Sequence, residues 1–162
     1  MFVFGLFFIL VINFISALTI TNLNPSTSVQ QVSSLSNGEK YYVDRAYTIS
    51  SDLPSYLENQ RAIKTSNAAN LLKAVSFSVD VPVKVYLAWD DGRQAIPSGW
   101  TPTSDYIDVS GDSGVTKLKI LYQDFVIASG SASCIAECGE GDEACLAPCY
   151  SGEGRVDVSI PA

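Results

Sequence analysis

The chain contains no histidine among its 162 residues. This removes the commonest general base and proton shuttle, the Ser-His and Cys-His pairings of nucleophilic catalysis, and the commonest ligand for zinc or copper. Positive charge is also scarce. Ten Lys and Arg face seventeen Asp and Glu, for a net charge of -7 and a pI of about 4.4. Such a surface repels phosphate backbones, and no basic run offsets it, so nucleic acid is not an expected partner. The glycines are scattered rather than gathered into a phosphate-cradling loop. No segment holds a helical period long enough for a main-body helix, and no internal repeat is visible. Two carboxylates at 5–10 Å are all a glycosidase needs, but with so many acids in the chain any such pair is cheap to find. No catalytic residue is assigned, and an enzyme is not expected.

The length suits one domain. Residues 1–17, MFVFGLFFILVINFISA, are uncharged and almost wholly apolar, and they end on the small residues Ser16 and Ala17. This is the pattern of a secretory signal peptide cut after Ala17, although the usual initial Lys or Arg is missing. A retained N-terminal membrane anchor is the competing reading, against which the run falls short of the roughly 20 residues that span a bilayer. The positive mean hydropathy of +0.19 is produced in part by this segment. Export places the protein in a secreted or cell-surface location.

Beyond the leader, residues 18–37 read as a linker or N-terminal strand, and residues 38–162 as the folded body. LTITNL alternates Thr with apolar residues, a short strand signal, and 24–37 is rich in Ser, Thr, Gln and Asn. Residues 40–49, KYYVDRAYTI, are β-branched and aromatic and predict a strand. Pro54 stops that strand and starts a turn. Residues 60–65 predict another short strand, and 66–74 a helical turn or a loop. The clearest pattern is 75–89. Val75, Phe77, Val79 and Val81 share one face, Pro82 interrupts, and Val83, Val85, Leu87 and Trp89 again share one face. This predicts two strands joined by Asp-Val-Pro. A long loop over 90–103 follows, then strands at 105–110, 115–122, 124–129 and 155–160, with a tight GDSG turn at 111–114. About eight short strands with regular turn signals predict an all-β sandwich or jelly roll.

All four cysteines, Cys134, Cys138, Cys145 and Cys149, lie in 134–149 with symmetric C-x3-C spacing. Each pair places two thiols on one face of a helical turn, and two such turns joined at Gly139 and Gly141 form a small helical hairpin inserted before the last strand. The geometry favours nested disulfides, Cys138 with Cys145 and Cys134 with Cys149, although four cysteines allow three connectivities. A zinc site is the alternative, but zinc knuckles usually show C-x2-C spacing and exported proteins meet an oxidising compartment.

Sugar rings stack on flat aromatic faces while polar neighbours fix their orientation. Trp100, in a polar loop, is the best exposed platform. Trp89 continues an apolar face and belongs to the core, and most tyrosines read as sheet packing. Asp90, Asp91, Asp105, Asp108 and Asp112 lie in adjacent loops. Calcium takes oxygen ligands from such loops, but no EF-hand or nonapeptide pattern is present, and a solvated acidic rim is the preferred reading. No other cofactor is implied.

Three stretches, 41–65, 75–103 and 118–130, resemble the galactose-binding-like β-sandwich modules appended to secreted bacterial polysaccharide-degrading and surface proteins. The resemblance is carried by Val85-Tyr86-Leu87-Ala88-Trp89-Asp90, Arg93, Pro97, Trp100 and Asp124-Phe125. The cysteine module is foreign to that pattern. The resemblance implies a jelly-roll fold and an accessory, carbohydrate-binding role. The expected function is therefore a non-catalytic extracellular binding domain for glycan or another extracellular polymer, with Trp100, Asp90, Arg93, Asp91 and Tyr106 as the binding set. The alternative is a structural subunit of an extracellular filament or surface layer, self-associating through the strand-forming N-terminus at 18–32.

Overall fold

The computed structural model describes residues 8–12, 18–24, 29–51, 53–67, 75–111, 114–126 and 156–160. The described residues are all-β. Ten strands run β1 Phe8–Ile12, β2 Ile20–Asn24, β3 Val29–Val32, β4 Thr48–Ser51, β5 Arg61–Thr65, β6 Val75–Val79, β7 Val83–Trp89, β8 Thr101–Gly111, β9 Gly114–Phe125 and β10 Val156–Ile160. One 3₁₀ turn, Ser55–Leu57, stands between β4 and β5, where Pro54 fixes the backbone. The cysteine module at 134–149 and most of 66–74 lie outside the described residues.

Seven strands form one sheet in the order β3-β5-β1-β7-β9-β8-β4, and three form another in the order β10-β6-β2. The period-two segments expected at 75–89 are both strands, but Pro82 sends them to different sheets. β6 centres the small sheet between β10 and β2, whereas β7 lies in the large sheet between β1 and β9. Their apolar faces still meet. Leu18, Ile20, Val75, Phe77 and Val79 from the small-sheet side pack with Ile63, Val83, Val85, Leu87, Trp89, Trp100 and Leu121 of the large-sheet side in one buried cluster. Burying that apolar surface is the main force joining the two layers.

The other face of the large sheet carries a second cluster. Ala62, Ala88, Ile107, Val109, Leu118 and Ile120 point out of it, and Leu35, Tyr41, Tyr42, Ile49, Leu53 and Leu57 close over them. Those covering residues come from the 35–57 stretch. The strand expected over 40–49 is largely replaced there by an irregular strap. Tyr41 and Tyr42 are consecutive and both buried, which a period-two strand with one wet face does not allow. Their rings meet edge to face at 4.7 Å. The strap is tied down by backbone bonds, with Tyr41 N–H donating to the Tyr47 carbonyl at 2.7 Å and Ile49 N–H to the Glu39 carbonyl at 3.0 Å. Only Thr48–Ser51 pairs as a strand, against β8.

The hairpin of β8 and β9 is longer than the sequence signals. β8 begins at Thr101, inside the segment expected as loop, and β9 runs unbroken from Gly114 to Phe125 through the position expected to separate two strands. A shift in the β8/β9 register between Pro102 and Tyr106 lets Pro102 sit in the strand. β1 lies inside the apolar 1–17 segment. It pairs antiparallel with β5 on one side and β7 on the other, so β5 and β7 run parallel to each other across it.

Candidate functional site

The five residues expected to bind are placed in three different settings. Trp100 is only 7 % exposed and belongs to the cluster between the two sheets. The exposure expected of it fails because β8 starts at the next residue and draws the indole under the sheet. Trp89 is buried in the same cluster, and its Nε1–H donates to the Gln94 carbonyl at 3.2 Å.

Asp90 and Arg93 do come together. Asp90 Oδ2 meets Arg93 Nε at 3.2 Å, with the Asp90 side chain 8 % exposed and that of Arg93 56 % exposed. The Asp90 carbonyl also accepts the N–H groups of Arg93 and Gln94 at 3.1 and 3.0 Å. The pair thus fastens the turn that ends β7. Asp91 is exposed beside it.

Tyr106 is partly open, at 37 % exposure, and Lys119 Nζ stands 4.2 Å and Lys117 Nζ 5.9 Å from its ring centroid. Tyr106 is opposite Lys119 in the ladder, while their neighbours Ile107 and Leu118 form the pair that packs under the strap. Alternation therefore puts Tyr106 on the small-sheet side of the large sheet.

The acidic loop residues disperse. Asp90 is held by Arg93, Asp105 lies on β8 and accepts from Tyr56, and Asp112 lies outside the described residues. Among the described residues, no group of three or more His, Cys, Asp or Glu could hold a metal ion. No helix among them is long and apolar enough to cross a membrane, which bears on helices alone.

A different constellation is assembled on the strap side of the large sheet. Tyr86 of β7 stands directly opposite Tyr122 of β9. Their ring centroids are 6.2 Å apart and their planes tilted by 44°. Tyr56, presented by the 3₁₀ turn, extends the row on the other side of Tyr86 at 5.2 Å and 36°. Each of the three is half-buried. The progressive tilt follows from the twist of the strands that carry two of them.

Polar groups flank both ends of this row. Lys84, two residues before Tyr86 and so on the same face, holds its Nζ 4.4 Å from the Tyr122 ring centroid. It also bonds the Asp124 carboxylate at 2.9 Å to one oxygen and 3.1 Å to the other. The Asp124 hydrogen bond raises the Lys84 pKa, overcoming the opposing effect of burial.

At the other end, Tyr56 Oη donates to Asp105 Oδ2 at 2.6 Å. Burial first, and then this bond to a carboxylate, push the Tyr56 hydroxyl well above the usual phenol range. Asp105 is set by its own backbone, its N–H donating to Thr103 Oγ1 at 3.0 Å while Thr103 Oγ1 donates to the Ile120 carbonyl at 2.9 Å. Burial also raises the Tyr86 hydroxyl. The result is a twisted strip of three aromatic faces bounded by a cation and two carboxylates.

Sequence reasoning passed over this row. The alternation in VKVYLAW does turn Tyr86 away from Val85 and Leu87, but nothing local says that Tyr122 lies opposite, because that depends on the β7/β9 register. Against this geometry, no protein-family model, no curated protein and no solved structure matches the chain.

Proposed function

We propose that this chain is a non-catalytic glycan-binding domain of the secreted or cell-surface class, a jelly-roll β-sandwich of galactose-binding-like architecture. Its sugar platform is the row Tyr56–Tyr86–Tyr122. The row carries the proposal. Three half-buried tyrosines at 5.2 and 6.2 Å spacing, with Lys84, Asp124 and Asp105 at the margins, offer stacking faces and hydrogen-bonding groups together. The acidic net charge favours neutral polysaccharides over polyanions.

Two observations weigh for binding over catalysis. The chain has no histidine. The acids near the row are committed to structural partners, Asp105 to Tyr56 and Asp124 to Lys84. The packing of a three-stranded sheet on a seven-stranded one through a shared apolar cluster supports the sandwich reading.

The test is titration of the purified protein against a panel of soluble neutral polysaccharides by calorimetry. Binding to at least one is expected, weakened about tenfold, or ~1.4 kcal/mol, by Tyr122→Ala. Binding to none of them, or binding that Tyr122→Ala and Tyr86→Ala leave unchanged, removes the proposal.

A further inference from the structure

The sequence holds a single Asn-Gly step, Asn37-Gly38. An asparagine before glycine is the backbone step most open to deamidation, because glycine puts no Cβ in the way of its own nitrogen. That nitrogen, once its proton passes to solvent base, attacks Asn37 Cγ. The bond from Cγ to the side-chain nitrogen breaks, and ammonia leaves. Water then opens the five-membered imide at either carbonyl, giving aspartate or isoaspartate at position 37. Water is the only co-reactant.

The fold holds this pair in an unreactive geometry. Both residues are exposed at the start of the strap, in a turn closed by Glu39 N–H donating to the Ser36 carbonyl at 3.2 Å. Gly38 has φ +81°, the value of the second central residue of a type II turn. The first central residue of such a turn has ψ of about +120°, which turns the Gly38 nitrogen away from the Asn37 side chain. Two further bonds lock the reacting atoms. Gly38 N–H donates to the Ile49 carbonyl at 2.8 Å, so the proton that must leave is engaged. Asn37 Oδ1 accepts the Leu53 N–H at 3.3 Å, which fixes the carbon to be attacked. Ile49 and Leu53 are themselves buried in the cluster beneath the strap. The pair is wet, but its reaction needs the strap to lift from that cluster.

We propose that Asn37 is a deamidation site gated by opening of the strap, and that isoaspartate at this position keeps the strap from reseating. The second half follows from covalent geometry. Isoaspartate routes the backbone through Cβ and Cγ, which adds a carbon between the Cα of residue 37 and the Gly38 nitrogen. The Ser36–Glu39 turn and the Gly38–Ile49 bond then cannot both keep their present geometry. The oxygen that accepted the Leu53 N–H becomes a backbone carbonyl. Leu53 leads into the 3₁₀ turn Ser55–Leu57 that presents Tyr56, so the same event unties one end of the tyrosine row. The site is a one-way record of strap opening.

The test is peptide mass mapping of position 37 after incubation at mildly alkaline pH, for the folded protein and for the protein unfolded in urea. Conversion in the folded protein is expected to be about a hundredfold slower, set by the population of the open strap. Ile49→Val trims a side chain under the strap without touching the reacting atoms. It is expected to raise the folded rate about threefold and to leave the unfolded rate unchanged. Equal rates in the folded and unfolded protein, no conversion in urea, or a folded rate that Ile49→Val does not move would each overturn the gating. The isoaspartate fraction, separated by its added negative charge, is then digested briefly with trypsin. Faster cleavage on the strap after Lys40 and Arg45 is expected, and cleavage at the parent rate overturns the claim that the strap fails to reseat.

Discussion

Lys64 of β5, with only 5 % of its side chain exposed, donates its ammonium to the carboxylate of Glu39 on the strap. The bond links the large sheet to the segment that covers it. Mainly through this bond, Lys64 holds the Glu39 pKa below the usual carboxylate value, against the opposing effect of burial. Removing only the acid strands a buried cation, which costs far more than removing both charges together. Glu39→Gln is expected to destabilise the protein by about 2 kcal/mol, the upper range being moderated because Glu39 is partly open to water. Lys64→Met is expected to stay within about 1 kcal/mol of the parent. Urea denaturation at neutral pH measures both.

The same pair sets an acid limb. A carboxyl whose folded pKa is depressed contributes stability that is present above its unfolded value, about 4.3 for Glu, and that is lost as pH falls through the folded value. Asp44 acts in the same direction. Burial pushes its carboxyl up, but the Ser66 hydroxyl at 2.6 Å and the Asn67 N–H at 2.7 Å outweigh that and lower its pKa. Stability is therefore expected to fall as pH drops below about 4, with a shallower slope in Glu39→Gln. Thermal melts across pH 2–6 check this. An identical slope in the variant would show that Glu39 does not carry it.

Gly111 closes the β8 side of the hairpin under the Tyr47 ring. A Cβ at residue 111 would lie 2.7 Å from two carbons of that ring. Tyr47 packs against the cluster beneath the strap, so the ring cannot swing away without disturbing Tyr42, 5.9 Å from it. Gly111→Ala is expected to cost about 1–3 kcal/mol, as overpacking does in a filled core. Gly114 has no atom within 4 Å of its added Cβ, but its φ of +110° lies where side chains are strained, so Gly114→Ala is expected to destabilise through the backbone instead. The double variant Gly111→Ala/Tyr47→Ala separates the two causes, because removing the ring should abolish the penalty at 111.

Trp100 shows how far local sequence carries. Its loop neighbours Pro97, Ser98 and Gly99 read as solvent-facing, and they are exposed or half-buried. Its burial is decided by the β8/β9 register, which a linear pattern does not contain. The strands whose burial is set by alternation, β6 and β7, were legible because Val75, Phe77, Val83, Val85, Leu87 and Trp89 each face one core. The strap was not, since Tyr41 and Tyr42 have strand-forming propensity but are held by loop bonds. β1 was hidden for another reason: an uncharged run such as FILVI satisfies an export signal and an interior strand equally well. Trp100→Ala is accordingly expected to lower stability by about 3–5 kcal/mol by leaving a cavity between the sheets. It is not expected to weaken glycan affinity in the fraction that remains folded.

Four of the eight tyrosines, Tyr41, Tyr42, Tyr56 and Tyr86, have their hydroxyls raised above the usual phenol value, with burial the leading cause in each. For Tyr56 the Asp105 carboxylate adds to burial, and for Tyr42 the charges of Tyr47, Asp44 and Asp90 add to it. A phenol whose folded pKa is raised keeps its proton longer in the native state than in the unfolded chain. It therefore supports the fold fully below the unfolded value of about 10 and withdraws that support as pH climbs above it. The phenolate absorbance of these four groups is expected to appear only as rising pH also abolishes the β-sheet circular dichroism signal. Tyr56→Phe removes one late-titrating group and flattens the alkaline decline in stability. Phenolate formation by Tyr41, Tyr42, Tyr56 and Tyr86 near the free value, with the sheet signal intact, would mean that these four hydroxyls are open to water.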